Sequence, residues 1–125
     1  MINVLLIEDH PDIRENTTEI LELAGYNVYV AQNGIVGINM AKEKLPDIIL
    51  CDILMPEADG WEVIKQLKAN EATAEIPFVF ITASVEKKEI LAGLEMGADS
   101  YIPKPFELKE LLDTVEACLL KNKTF

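Results

Sequence analysis

Basic residues are scarce in this chain. Over 125 residues, 11 Lys and Arg face 22 Asp and Glu, the net charge is −11, and Arg14 is the only arginine. Nucleic-acid backbones are held by clustered Lys and Arg, so direct nucleic-acid binding through these residues is disfavoured. Long apolar runs are missing as well. The opening stretch, Met1 to Asp9, has no basic segment, and its apolar run is far shorter than a signal peptide or a membrane span needs; a cytoplasmic protein is expected. Cysteines are few. Neither Cys51 nor Cys118 has a second Cys or His near it at metal-ligand spacing, so both are expected as buried free thiols of a reducing compartment. His10, the only histidine, stands beside a helix start and is expected to cap it or to lie at the surface.

What the chain does have is alternation. Half of it is apolar, enough for the core of one domain spanning residues 1–125, without linker or internal repeat. Strand-like apolar runs lie at Ile2 to Ile7, Val28 to Ala31, Ile48 to Cys51, Phe78 to Ile81 and Tyr101-Ile102. Helical faces lie between them: Ile13, Thr17, Ile20, Leu21 and Ala24; Ile38, Ala41 and Leu45; Val63, Ile64 and Leu67; Ile90, Leu91 and Leu94; Leu108, Leu111, Leu112, Val115 and Leu119.

Punctuation supports the same division. Pro11 suits a first helical position with Asp9 or His10 as cap, Gly25 and Gly97 suit the left-handed residue after a helix, and Pro46 follows a helix end. Asn33-Gly34 resembles a hairpin turn, but the run after it is helical, which makes it a helix start. Five strands alternating with five helices predict an α/β fold, a doubly wound parallel sheet with helices on both faces.

In such a sheet ligands gather at the C-terminal ends of the strands, where residues distant in sequence meet. Glu8-Asp9, Asp52, Thr82 and Lys104 all stand at such ends. Singly each has an ordinary reading: the first pair caps a helix, Asp52 ends a strand, Thr82 is a β-branched strand residue and Lys104 is a solvated lysine. Together they put three carboxylates, a hydroxyl and an ammonium in one place. The acidic first turn repels nucleotide or flavin phosphate, which elsewhere binds a Gly-rich turn. Carboxylates crowded together raise a pKa or recruit a cation, and hard oxygen donors with room for water describe magnesium better than zinc or a closed calcium cage. Pro105 after Lys104 is a place for a cis peptide that turns the lysine inward.

The ordered set Glu8-Asp9, Asp52-x-x-Met55-Pro56-x-x-Asp59-Gly60, Thr82-Ala83 and Lys104-Pro105-Phe106 resembles the receiver domain of two-component response regulators, over almost the whole chain. The resemblance implies a flavodoxin-like five-stranded sheet in the order 2-1-3-4-5. It also implies residue roles. Asp52 is similar to the phosphoacceptor; Asp9, Asp52 and the Leu54 carbonyl to direct Mg2+ ligands, with Glu8 acting through water. Lys104 resembles the lysine on a phosphoryl oxygen, Thr82 the hydroxyl that moves onto it, Ala83 the adjacent backbone donor, and Tyr101 the aromatic that turns inward when Thr82 moves. Leu54 and Ser84 occupy the two positions that tune hydrolysis in the family.

The implied partners are a sensor histidine kinase or phosphotransfer protein upstream, and a target protein or output domain downstream. The readout surface is expected on the fourth helix, fifth strand and fifth helix, with Ile90 as a candidate contact, in a monomer or a phosphorylation-dependent dimer. No membrane partner is implied. Two other classes compete: a flavodoxin-like nucleotide or flavin module, opposed by the acidic first turn, and a receiver-like scaffold that needs no phosphorylation, opposed by the full set of site residues. A haloacid-type hydrolase is weaker, because Asp9 is followed by His10 and Pro11 and has no second aspartate two positions on.

Overall fold

The computed structural model describes residues 1–83 and 86–123, the side chains of 122 and 123 apart. Its elements run β1 (Asn3–Ile7), α1 (Pro11–Leu23), β2 (Asn27–Ala31), α2 (Gly34–Lys44), β3 (Ile48–Asp52), α3 (Gly60–Lys68), β4 (Phe78–Thr82), α4 (Lys87–Glu95), β5 (Ser100–Pro103) and α5 (Leu108–Lys123). The strands form one parallel sheet in the order β2-β1-β3-β4-β5. That is the order expected from the resemblance, and it makes β1 and β3 neighbours.

The core divides by the two-residue period of the strands. Leu5, Ile7, Ile49, Cys51, Phe78 and Phe80 face one side, where Ile38 and Ala41 of α2 and Val63, Ile64 and Leu67 of α3 close over them. Val4, Leu6, Ile48, Leu50, Val79 and Ile81 face the other, under Leu21 of α1 and Leu111, Val115 and Leu119 of α5. Strands buried on both faces lose the polar alternation of a one-sided sheet, which is why they read as continuous apolar runs.

The turns follow their residues. Gly25 and Gly97 adopt positive φ (96° and 109°) after α1 and α4. Asn33 caps α2 by accepting the Val36 N–H at 2.9 Å, so Asn33-Gly34 is a helix start. Pro11 occupies the first position of α1, with His10 as the cap residue. Leu45, in the left-handed region, ends α2 just before Pro46. Cys51 and Cys118 are buried free thiols. Among the described residues no helix is long and apolar enough to cross a membrane.

The helical faces run differently at their ends. Ala24, Leu45 and Leu108 are exposed, each at a helix terminus. α4 departs most. Leu91 is 59% and Leu94 43% exposed, and only Gly93 of this helix is buried. The cause is close approach: a Cβ on Gly93 would lie 3.0 Å from the Phe80 ring and 3.5 Å from Trp61, so the helix seats its smallest residue on the aromatics and turns its leucines outward.

Candidate functional site

The C-terminal ends of β1, β3, β4 and β5 bring Glu8, Asp9, Asp52, Thr82 and Lys104 to one edge of the sheet. Glu8 follows β1 and is only 1% exposed; its backbone N–H donates to the Ala31 carbonyl at 3.0 Å, which extends the β1–β2 pairing past the strand end. Asp52 closes β3 and is buried; its Oδ1 accepts the Ile53 N–H at 2.7 Å. Lys104 Nζ reaches across the sheet and donates to both acids, 2.7 Å to Glu8 Oε1 and 2.9 Å to Asp52 Oδ2. The Lys104-Pro105 peptide is cis, and the Lys104 N–H donates to the Thr82 carbonyl at 2.8 Å, which ties β5 to the end of β4.

The electrostatics are those of a crowded, half-desolvated cluster. Burial pushes the Glu8 carboxyl above its usual range, against the hydrogen bond from Lys104, and the nearby Asp52 charge pushes the same way. Burial works against the Lys104 charge, but the hydrogen bonds to Glu8 and Asp52 together outweigh it and hold the ammonium above 10.5. Beneath them the Cys51 thiol is pushed well above 9.0 by burial, then by the charge of Asp52. Acids at the opposite edge are used in another way. Asp47 and Asp99 each accept a strand N–H, from Asn3 at 2.7 Å and from Phe78 at 2.8 Å, and so are spent on backbone.

The cluster has donor capacity to spare. Ligand-capable atoms of Glu8, Asp9, His10 and Asp52 all lie within 4.8 Å of one another, and the buried Asp9 Oδ1 has no hydrogen-bond partner. An orphaned carboxylate oxygen beside two further carboxylates suits a hard, oxygen-preferring cation such as Mg2+. The Leu54 side chain is 77% exposed at the rim. Ala83 is exposed, and Ser84 lies outside the described residues.

Thr82 is buried at the end of β4. Together with Ile53, Phe80, Ile90, Leu94 and Tyr101 it lines a cavity of about 10 Å³, room for about one water. Tyr101 and Ile90 are both half-buried there, so Ile90 faces the cavity beside Thr82 as well as the surface.

One contributor escapes sequence reasoning. Arg14 Nη1 donates to the Glu8 carbonyl at 2.9 Å and to the Asp9 carbonyl at 3.4 Å, clamping the turn that carries the acids. Its position one turn into α1 was the only available signal. Gly60 lets the loop after Asp52 fold back on itself, since a Cβ there would lie 2.5 Å from the Asp52 carbonyl oxygen. Asp59 caps the helix that follows, accepting the Glu62 N–H at 3.0 Å.

Comparison with known proteins agrees with this geometry. Residues 4–116 match the family model of the response regulator receiver domain. The DNA-binding dual master transcriptional regulator RpaA of Synechocystis is 39% identical over 122 residues, 98% of this chain and 51% of that protein. The response regulator MprA of Mycobacterium bovis is 36% identical over 122 residues, 98% of this chain and 52% of that protein. The chain thus spans about half the length of the curated relatives it matches. A putative response regulator from Chloroflexus aurantiacus superposes with a TM-score of 0.91 at 32% identity, covering 95% of this chain and 98% of that one. Chemotaxis protein CheY4 of Vibrio cholerae does so with a TM-score of 0.90 at 28% identity, covering 94% and 98%. Receiver domains are two-component signalling switches rather than classical enzymes, and they generally bind Mg2+ at an acidic site. With the sheet order, the acidic edge and the sequence match all in agreement, the chain belongs to the response regulator receiver domain family.

Proposed function

We propose that residues 1–125 form one receiver unit that accepts a phosphoryl group on Asp52 from a phosphohistidine of a sensor kinase or phosphotransfer protein, and signals through its α4-β5-α5 surface. The observation that carries this reading is the bridging of buried Glu8 and Asp52 by Lys104, next to the unpartnered Asp9 oxygen. A carboxylate oxygen of Asp52 forms the new P–O bond as the P–N bond to the donor imidazole breaks. Lys104, already 2.9 Å from Asp52, moves onto a phosphoryl oxygen and neutralises charge that builds up there. Asp9, Asp52 and the Leu54 carbonyl would hold Mg2+, with Glu8 acting through water, and the ion when bound supplies further positive charge to the phosphoryl oxygens. The groove of about 510 Å³ beside Lys104, lined by Ile13, Thr17, Ile20, Pro105 and Phe106, is where the donor protein would seat.

Signalling follows from Thr82 and Tyr101. Thr82 with the Ala83 N–H contacts the phosphoryl group, and Tyr101 fills the small cavity that Thr82 lines. Moving a 1:99 population to 99:1 takes about 5.5 kcal/mol of differential interaction, the scale of a few charge-assisted hydrogen bonds. The recipient is a separate target protein or an output domain. Where that output is DNA binding, the Lys and Arg for it lie outside these acidic residues.

The test is direct. After incubation with Mg2+ and acetyl phosphate, the intact mass of the wild type rises by one phosphoryl group, and that of Asp52→Ala does not. Equal gain in both would put the acceptor elsewhere; no gain, even with a kinase present, would favour a scaffold that needs no phosphorylation. A finer expectation concerns lifetime. Leu54 is apolar and cannot position an attacking water, so Leu54→Asn loses phosphate about fivefold faster, the effect of one added hydrogen bond of about 1 kcal/mol. Equal or slower loss from that variant would contradict the assignment.

A further inference from the structure

His10 is the member of the acidic cluster that neither helix nor core requires. It stands at the cap position of α1 but makes no side-chain cap bond, and its side chain is 64% exposed. Yet the imidazole turns back over the acids: Nδ1 lies 3.4 Å from Glu8 Oε2 and 3.4 Å from Asp9 Oδ1. That Asp9 oxygen is the buried one without a hydrogen-bond partner. The His10 backbone N–H donates to the same Glu8 Oε2, at 3.2 Å, which holds that carboxylate beside the imidazole.

Resting on the metal reading above, we propose that His10 Nδ1 joins the ligand set and converts an all-oxygen magnesium site into a mixed nitrogen and oxygen site that favours a divalent transition ion. Ligand-capable atoms of Glu8, Asp9, His10 and Asp52 fall within 4.8 Å of one another, so an ion held by Asp9, Asp52 and His10, with Glu8 still acting through water, needs only small rotations of the exposed imidazole and the half-buried Asp9. Magnesium gains little from this, because it wants oxygen at near-ideal octahedral positions and sheds its waters reluctantly. Imidazole nitrogen suits cobalt, nickel, copper and zinc, and each gains affinity from it in the usual divalent order. The consequence is a receiver whose loading depends on which divalent ion its surroundings supply.

The experiment is calorimetric titration of the folded protein with Mg2+ and, separately, Co2+, in wild type, His10→Ala and Asp9→Asn, together with the electron paramagnetic resonance spectrum of the Cu2+ form. His10→Ala is expected to lower the Co2+ to Mg2+ affinity ratio by about tenfold or more, with Mg2+ binding little changed. The Cu2+ spectrum of wild type should show nitrogen hyperfine structure that His10→Ala lacks. The same ratio in both proteins, with no nitrogen coupling in wild type, overturns the inference. Asp9→Asn separates the two readings: if it abolishes Mg2+ binding while His10→Ala changes no ratio, only the histidine's role falls. If all metals bind Asp9→Asn as they bind wild type, the metal centre falls with it.

Discussion

α3 and α4 are both nine residues long and both lie against Phe80, yet they are held in opposite ways. α3 sinks Val63, Ile64 and Leu67 into the core, is capped by Asp59, and has its Lys68 ammonium donating to the Ala74 and Ile76 carbonyls at 2.9 and 3.2 Å. α4 rests on Gly93 and presents Leu91 and Leu94 to solvent. Helix α3 follows the loop that leaves Asp52; α4 follows Thr82. A switch needs one firm wall to aim its reactive group and one element that moves without giving up much buried apolar area. Under the proposed function, the two helices would divide those tasks.

The largest expected effect breaks the firm side. Leu67→Ala should cost about 3 kcal/mol, within the usual range of 2 to 5 for a fully buried leucine, read as a lower urea midpoint. A cost below about 1 kcal/mol would mean that α3 collapses freely and is no wall. The thiol beneath it gives a second reading of the same packing. Because the folded-state pKa of Cys51 is raised above 9.0, the unfolded thiol releases its proton first. Its stabilising contribution is complete below 9.0 and is lost as pH rises above that. Cys51→Ala should lack that part of the alkaline slope; an unchanged slope would mean the thiol is not sealed.

Smaller effects sharpen the loose side. Gly93→Ala adds a methyl 3.0 Å from the Phe80 ring but gains about 1 kcal/mol of helix propensity, so its net stability change stays within about 1 kcal/mol. Its signature is a shift in Trp61 emission as α4 lifts; unchanged emission would show that α4 does not rest on this contact. Leu91→Ala should change stability by about 0.5 kcal/mol or less, since an exposed side chain leaves little burial to lose. A loss above about 1 kcal/mol would show α4 held as firmly as α3.

Much of this was legible in sequence. Continuous apolar runs fixed the strands because burial on both faces removes polar alternation, and Gly25, Gly97 and Asn33 marked their turns because few other residues serve there as well. That Glu8, Asp9, Asp52, Thr82 and Lys104 would gather in one place was legible because strand ends share an edge. The exposure of Leu91 and Leu94 was not. Periodicity reports that a helix has an apolar side, and not whether a neighbouring ring such as Phe80 lets that side approach. The clamp by Arg14 was equally silent, since it rests on carbonyl positions set by the turn between β1 and α1, and His10 was legible only as a cap or surface residue.

Sequence by itself determined the alternation of strand and helix, the acidic balance and the chemical character of the strand ends, because each is a property of local composition and spacing. Tertiary structure decided which charges meet. Lys104 lies 96 positions from Glu8 and 52 from Asp52, and only the pairing of β1, β3 and β4, with β5 beside β4, brings the ammonium within hydrogen-bonding distance of both. Structure also decided which apolar faces are buried, because close packing is settled between neighbours and is not carried by either one alone.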